Sequence, residues 1–336
     1  MAYSGTATAA SGRSAPAVGG GLCLRLALTL ILVLAGALAG CASHPSAQQA
    51  VQQLPPLQID GRLIETKAVP ALAPTPDLLA LNQPMREFVA RYADGGSQRQ
   101  RLMSLHRAVR GGGTLNLQYD PFAEGSAQQV FERGTANCLS YANLFVALAR
   151  EAGLDAHYQW LEVRPQWSRV GDRVLVGLHV NVLVRLRQGR HFMVDIDPLP
   201  AQDIADSQQI SDVDGAALYH SNIAMSALAS EELEAAWLNA VRALQLSPDM
   251  SHLWVNLGAI YRQAGQYEAA ENSYLQALAL DDWQHSAMSN LVVLYGMQGR
   301  EQERAYWHSR VENYQQSNPY YYAELEEVRK PRPAAL

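Results

Sequence analysis

The segment Gly134-Thr-Ala-Asn-Cys-Leu-Ser140 places Cys138 directly before a helical pattern. A row of apolar residues follows at spacings of three and four, namely Ala142, Phe145, Ala149 and Ala152. With Gly153 as its stop signal, this row predicts a helix from about Cys138 to Gly153. A thiol at a helix N-terminus lies beside free backbone N–H groups and the positive end of the helix dipole. Because these groups lower the pKa of a thiol, the segment predicts an activated nucleophile.

Downstream of this helix the apolar period changes to two, which is typical of β-strands. Residues 174–186 alternate between an apolar face and a face that carries His179. Gln188-Gly189 predicts a hairpin turn, and residues 192–196 predict the returning strand. A helix that is followed by antiparallel strands indicates an α+β domain.

Three residue types in this order point to nucleophilic chemistry. His179 can take the proton of a thiol and later pass it to a leaving amine. An acidic residue must then hold the imidazole in the required tautomer. Asp195 and Asp197 follow on the returning strand. Strand alternation puts both aspartates on the same face, so the spacing leaves both open.

Each of these residues also has a purely structural interpretation. A lone cysteine such as Cys138 often fills a small buried position, and His179 fits an ordinary strand position. Cys138, His179 and Asp195 together could instead ligate zinc. The sequence contains no Cys-x-x-Cys or His-x-x-x-His pair, so we expect neither a metal nor another cofactor.

The same residues resemble a known family over roughly residues 120–200. Residues 134–142, followed by Ala149-Arg-Glu-Ala-Gly153, are similar to the nucleophile segment of the transglutaminase-like superfamily. His179-Val-Asn-Val is similar to the histidine strand of that family. Val194-Asp-Ile-Asp-Pro198 is similar to its Val-Asp-x-x-Pro segment. The order and the spacing of the three segments both agree with the family.

The resemblance implies a papain-like helix-plus-sheet fold and names a catalytic triad. By that match Cys138 is the nucleophile, His179 the base and Asp195 the third member, with Asp197 as the less favoured alternative. The family usually has an aromatic residue at the position where this chain has Asn181. We expect this departure to affect the geometry of substrate binding.

From about residue 216 the sequence repeats with a period of 34. Pairs at this spacing include Leu257 and Leu291, Tyr261 and Tyr295, and Gly265 and Gly299. The series Trp254-x-x-Leu257-Gly258-x-x-Tyr261, followed by Ala270, Tyr274 and Ala277, resembles the tetratricopeptide consensus. About three such repeats fit between residues 216 and 325. The resemblance implies an all-α solenoid whose concave groove binds a protein or peptide partner.

The N-terminus has the features of an export signal. An apolar run at residues 22–40 is typical of a signal peptide, and Leu38-Ala39-Gly40-Cys41 resembles a bacterial lipobox. We therefore predict a signal peptide at residues 1–40 and a lipid on Cys41, with an uncleaved membrane anchor as the alternative. Cleavage would remove Cys23 and leave Cys138 as the one free thiol in an oxidising compartment.

The predicted organisation has five parts. After the signal, residues 41–81 are rich in Pro, Ala and Gln and predict a tether. Residues 82–212 form the transglutaminase-like domain, residues 216–325 the repeats, and residues 326–336 a flexible tail. The net charge of −6, without a basic run, argues against a nucleic-acid partner.

Together these features predict a lipoprotein of the bacterial cell envelope. No aspartate follows Cys41 directly, so we expect anchoring in the outer membrane, facing the periplasm. The resemblance implies attack by Cys138 on a peptide or amide bond, ended either by water or by an amine. We favour a peptidase or amidase, because water is abundant there and nothing in the sequence marks a site for an amine acceptor. The alternative is a non-catalytic adaptor in which the repeats bind a partner and the first domain is a scaffold.

Overall fold

A computed structural model describes residues 46–111, 114–163, 167–170, 173–176 and 179–317. The predicted signal peptide, Cys41 and the predicted tail at residues 326–336 lie outside the described residues. In the part of the chain that the structure describes, no helix is both long and apolar enough to cross a membrane.

Along the chain, helices precede and follow a group of strands. The first elements are α1 (Ala47–Gln52), β1 (Leu57–Ile59), β2 (Arg62–Ile64), a 3₁₀ turn (Thr66–Ala68) and α2 (Val69–Leu72). They are followed by α3 (Gln83–Ala93), α4 (Gln98–Arg110), β3 (Gln118–Tyr119), α5 (Ala127–Arg133), β4 (Thr135–Ala136) and α6 (Cys138–Glu151). The strands are β5 (Asp155–Val163), β6 (Trp167–Val170), β7 (Arg173–Val176), β8 (His179–Arg185), β9 (His191–Val194) and β10 (Ile204–Ile210). The last helices are α7 (Asp212–Ala229), α8 (Leu233–Leu246), α9 (Ser251–Gln263), α10 (Tyr267–Leu280), α11 (His285–Met297) and α12 (Glu301–Ser317).

Helix α6 begins and ends where its sequence pattern predicts. Asn137 is the N-cap, and its side-chain oxygen accepts a hydrogen bond from the N–H of Ser140 at 2.8 Å. At the other end, Gly153 has a φ of 68°, a left-handed conformation that favours glycine. The helix is buried along most of its length. It is therefore the central helix of the first domain.

The principal sheet has four antiparallel strands in the order β10-β5-β8-β9. His179 lies opposite Leu161, and Val182 lies opposite Val194. The predicted hairpin between β8 and β9 is confirmed, with Gly189 at a φ of 72°. The apolar face of β8 packs against α6, and the residues buried there are Val180, Val182 and Val184. This packing brings the N-terminal end of α6 to the start of β8.

The last six described helices form three consecutive pairs, α7–α8, α9–α10 and α11–α12. Small residues allow the helices of a pair to approach closely. A Cβ atom on Gly258 in α9 would lie 2.5 Å from the ring of Tyr274 in α10, so no larger residue fits there without a shift. Trp237, Trp254 and Tyr261 are fully buried in the core of this region.

The prediction of a tether at residues 41–81 is wrong for its described part, because residues 47–73 pack on the repeats and residues 79–81 pack on the first domain. Val51, Leu57 and Val69 are buried in the same apolar cluster as the repeat helices. Gln266 donates a hydrogen bond to the carbonyl of Pro56 at 3.0 Å, and its side-chain oxygen accepts one from the N–H of Gln58 at 2.8 Å. Composition failed here because the burial of the segment is provided by helices that are distant in the sequence.

The first repeat helix, α7, also packs against the first domain. Asp212 at its start forms a two-point ion pair with Arg150 of α6, at 2.6 and 2.8 Å. A Cβ atom on Gly215 would lie 2.9 Å from the ring of Tyr158 in β5, so glycine permits the close approach. The described residues from Ala47 onward belong to one compact unit. The first domain therefore contacts α7 at Asp212 and at Gly215.

Candidate active site

Cys138 is the first residue of α6 and lies beside the strand that carries His179. The backbone N–H groups of Leu139 and Val180 hydrogen-bond to Cys138 and favour its thiolate. Val180 directly follows His179 in β8. Cys138 is the free cysteine of the described part of the chain, and it is half-buried. The contact with Val180 thus brings the thiol to the N-terminal end of the histidine strand.

His179 and Asp195 form a close pair. The Nε2 atom of His179 lies 2.5 Å from Oδ2 of Asp195, and both side chains are largely buried. Asp195 directly follows β9, the strand that pairs with β8. Its other carboxylate oxygen accepts a hydrogen bond from the backbone N–H of Asp197 at 3.2 Å. The histidine and the carboxylate are therefore held together by adjacent strands.

The two aspartates that the spacing left open have different surroundings. Asp195 is buried and contacts His179, whereas Asp197 is exposed. Asp197 contributes its backbone N–H to the carboxylate of Asp195. The geometry therefore places Cys138, His179 and Asp195 in one cluster and leaves the Asp197 side chain facing solvent. The catalytic roles of the three clustered residues stay predictions.

Arg110 is a component of this cluster that the sequence pattern did not reveal. Its guanidinium donates to the carbonyl of Asp195 at 3.1 Å and also to the carbonyl of Ile196. Arg110 is the last residue of α4, where a basic side chain ordinarily matches the helix dipole. Nothing in its local sequence indicates that it reaches residues more than eighty positions away. Its effect is to fix the backbone of the segment that carries Asp195.

The pKa of Cys138 differs from what its helix position predicts. Burial raises the pKa of the Cys138 thiol to about 11, and the negative charges of Glu124 and Asp195 act in the same direction. The N–H groups of Val180 and Leu139 oppose this increase. The prediction of a lowered pKa is therefore wrong, because burial outweighs the helix N-terminus. In this arrangement the thiol is protonated at neutral pH and needs a base.

Glu124 is a second residue that sequence reasoning missed. Its carboxylate accepts hydrogen bonds from Asn137, from the Ser140 hydroxyl at 3.3 Å, and from Asn222 of α7 at 2.6 Å. Burial raises the pKa of Glu124, while these hydrogen bonds lower it. Glu124 stands in an irregular segment before α5, where no periodicity could mark it. It brings a charged group to the N-terminus of the nucleophile helix.

A cavity of about 360 Å³ adjoins Asp195. Its walls include the apolar residues Leu161, Met193, Pro198, Leu199 and Ile204, together with the polar residues His106, Arg110 and Asn181. Two buried polar atoms of this lining, Nδ1 of His106 and Oδ1 of Asn181, have no hydrogen-bond partner within the described ranges. A buried polar group without a partner is costly. The cavity therefore has the composition of a binding recess, with apolar walls and a few free polar atoms.

The described residues contain no group of three or more His, Cys, Asp or Glu side chains that could hold a metal ion. The candidate site instead contains a paired imidazole and carboxylate, His179 and Asp195, and a thiol that is hydrogen-bonded to Val180, the residue after His179. Such a set can perform acyl transfer through a covalent thioester.

Comparisons with known proteins match a part of each of the two domains. Residues 86–196 match the transglutaminase-like superfamily, and residues 251–282 match the tetratricopeptide repeat. No curated protein matches the chain. The fold class predicted from the sequence, an α+β transglutaminase-like domain followed by an all-α repeat region, is confirmed.

Solved structures are similar to about a third of the chain. The CopN-Scc3 complex is 18% identical with a TM-score of 0.30, covering 34% of this chain and 69% of the other. The Arabidopsis OM64 TPR domain is 14% identical with a TM-score of 0.30, covering 35% and 97%. The first TPR of Spaghetti (RPAP3), bound to the HSP90 peptide SRMEEVD, is 18% identical with a TM-score of 0.29, covering 33% and 91%.

The first domain is of a type compatible with a cysteine-based enzyme, and the second is of a type that binds proteins or peptides. The matched residues 86–196 lie in the helix-and-sheet domain, and the matched residues 251–282 lie in the paired helices of the repeat region. The chain therefore contains a domain of the transglutaminase-like superfamily followed by a tetratricopeptide repeat region.

Proposed function

We propose that this protein is a cysteine peptidase or amidase whose repeats hold its polypeptide substrate or a protein partner. The observation that carries the proposal is the His179–Asp195 pair, with 2.5 Å between Nε2 and Oδ2, beside the strand residue that hydrogen-bonds to Cys138. A histidine oriented by a buried carboxylate next to a thiol is the arrangement of a nucleophile and its base.

The proposed reaction has two halves. His179 takes the proton of Cys138 as the sulfur attacks the substrate carbonyl carbon, which gives a tetrahedral oxyanion. The backbone N–H of Cys138 is at the helix N-terminus, where N–H groups have no partner within the helix, and in this proposal it stabilises the oxyanion. As the C–N bond breaks, the protonated His179 gives its proton to the leaving amine and a thioester remains. Water then attacks the thioester with His179 as base, releasing a carboxylic acid and the thiol.

The roles of His179 and Asp195 follow from the protonation state of the Cys138 thiol. A thiol whose pKa is raised to about 11 is almost fully protonated at neutral pH. It becomes a nucleophile only if a base removes the proton during attack. Asp195 holds the imidazole of His179 in the tautomer with a free acceptor nitrogen and stabilises the imidazolium that forms. Arg110 keeps the backbone of Asp195 in place for this role.

The cavity beside Asp195 is the proposed recess for a substrate side chain. Its apolar walls suit an aliphatic chain, and Asn181 and His106 suit a polar head at the end of that chain. Water completes the reaction in this proposal because no described feature marks a binding site for a second amine. Formation of a transamidation product in place of a hydrolysed one would contradict this part of the proposal.

A lipid on Cys41 and an envelope location complete the proposal, and they are supported by the sequence alone. The apolar run at residues 22–40 and the small residues before Cys41 fit a lipoprotein signal. Membrane fractionation compares the native chain with Cys41→Ser. The native chain should sediment with membranes and the variant should be soluble; equal distribution of the two would remove lipidation from the proposal.

The catalytic part is tested by site-resolved alkylation and by peptide mass spectrometry. Iodoacetamide labelling of Cys138 should slow by at least about 100-fold in His179→Ala if His179 is the base. Envelope peptides from cells with the native chain should contain cleaved products that are absent with Cys138→Ala. Labelling that ignores His179, with identical peptide sets, would instead favour a non-catalytic adaptor. In that case the repeat region should still capture a partner.

A further inference from the structure

Glu124 contacts both domains at the N-terminus of the nucleophile helix. Its carboxylate accepts hydrogen bonds from Asn137 and Ser140 of the nucleophile segment, and from Asn222 of the first repeat helix at 2.6 Å. We propose that Glu124 is a positioning residue for Cys138 that connects the nucleophile helix to the repeat region through Asn222. The inference rests on the proposed function, because it concerns the same thiol.

Glu124 determines how its neighbours are oriented. An ionised carboxylate only accepts hydrogen bonds, so each partner must point a donor toward it. Asn137 therefore turns its Nδ2 group to Glu124, which leaves its Oδ1 to accept the N–H of Ser140 at 2.8 Å. The Ser140 hydroxyl donates to Glu124 and accepts the N–H of Gly125 at 2.9 Å. Glu124 thereby fixes the cap of the helix that begins with Cys138.

The polar network continues from this cap to a second contact with α7. Asn143 donates to the carbonyl of Gly125 at 2.9 Å and accepts the hydroxyl of Tyr158 at 2.6 Å. The ring of Tyr158 packs against Gly215, where a Cβ atom would lie only 2.9 Å away. The first repeat helix therefore meets the network at Gly215 and again at Asn222. Asn222 is exposed, so it is the member that a bound protein can reach.

Charge links Glu124 to the thiol as well. Burial raises the pKa of Glu124, and the Arg133 guanidinium acts against that increase. The negative charge of Glu124 disfavours the thiolate of Cys138. The titratable or charged groups around Glu124 include Arg133, Cys138 and Tyr219. Those around Cys138 include Glu124, Asp195 and Tyr119, together with His179, the base of the proposed mechanism. Loss or displacement of the Glu124 charge should therefore make thiolate formation easier.

The test is the pH profile of iodoacetamide alkylation at Cys138 in the full chain, read by peptide mass spectrometry. Glu124→Gln keeps the shape of the side chain and removes its charge. Its profile should move to lower pH, with alkylation about tenfold faster at a fixed pH for each unit of movement. An unchanged profile, or movement to higher pH, would overturn the proposal.

The connection to the repeats is tested by Asn222→Ala. Without the Asn222 donor, the Glu124 anion is less stable at this position and either takes a proton or moves toward solvent. Both outcomes weaken its charge at the thiol, so the profile should move in the same direction as in Glu124→Gln, but less. The matched control is Asn256→Ala in α9, because Asn256 donates to Ser221 within the repeats at 2.9 Å. Equal profiles for Asn222→Ala and the native chain, or an equal shift in Asn256→Ala, would refute the connection.

These measurements need no substrate. Alkylation profiles that respond to Glu124 and Asn222 in a chain that cleaves nothing would leave the inference intact and overturn the proposed function. A chain that cleaves its substrate, but whose alkylation profiles do not respond to Glu124 and Asn222, would overturn the inference and leave the proposed function intact. Circular dichroism melting of each variant confirms that it is folded before its profile is compared.

Discussion

His252 of α9 packs against Trp160 of β5, with 4.9 Å between the ring centroids and 30° between the ring planes. This contact joins the repeat region to the principal sheet of the first domain. Burial lowers the pKa of His252 to about 4, and its Nε2 atom has no hydrogen-bond partner within the part of the chain that the structure describes. The histidine is therefore neutral in the folded protein at neutral pH.

The burial of His252 in its neutral form makes the stability of the protein sensitive to acid. Between pH 6.5 and about 4, the unfolded chain binds a proton at His252 that the folded chain does not bind. The free energy of unfolding should therefore fall as the pH drops through this range, by up to about 3 kcal/mol. His252→Phe keeps a ring and cannot titrate, so urea unfolding of this variant should lose that part of the pH dependence.

The two neighbouring aspartates should behave differently. Asp195→Asn removes a negative charge that disfavours the thiolate of Cys138, but an amide cannot stabilise the imidazolium of His179. Because this second effect acts on the base itself, alkylation of Cys138 at pH 7 should slow by at least about tenfold. Asp197→Asn should have little effect, because Asp197 contributes its backbone N–H to the site and its side chain is exposed. The measurement is the alkylation rate of each variant, normalised to its folded fraction. A larger effect of Asp197→Asn would reverse the assignment.

Two helical glycines in the repeats should respond oppositely to alanine. Gly258→Ala forces a Cβ atom to within 2.5 Å of the Tyr274 ring, and such overpacking typically costs about 1–3 kcal/mol. At Gly296 the nearest atom is 3.5 Å away, on the flexible side chain of Arg304. Gly296→Ala should therefore be neutral or stabilising by about 0.5–1 kcal/mol, from the better helix propensity of alanine. Urea unfolding measures both; equal destabilisation would contradict the close packing at Gly258.

Limited proteolysis can test whether residues 47–81 are folded. Trypsin can cleave this segment after Arg62 and Lys67. In the native chain both sites should be cut slowly, because the segment is docked on the repeats. Gln266→Ala removes the two hydrogen bonds to Pro56 and Gln58, so cleavage should accelerate several-fold. Rapid cleavage of the native chain at these two sites would support the tether that composition predicts.

Local sequence patterns were sufficient to predict those elements that depend mainly on residues close together in the chain. The spacing of three and four after Cys138 and the stop at Gly153 correctly predicted α6, because helix faces and caps are local features. The alternation around His179 and the Gly189 turn correctly predicted the β8–β9 hairpin. Strand β10 has no such alternation, because its middle is polar and exposed, so periodicity did not reveal it.

By itself the sequence determined the chemical inventory of this protein: one thiol at a helix start, a histidine and aspartates on later strands, and a repeat with a 34-residue period. Strand periodicity left Asp195 and Asp197 open and the family resemblance favoured Asp195; the tertiary structure shows that Asp195, and not Asp197, contacts His179. It also decided that Arg110 and Glu124 belong to the site, and that the Cys138 thiol is protonated at rest. The reason is physical: burial, and hydrogen bonds between residues far apart in the chain, are created by packing.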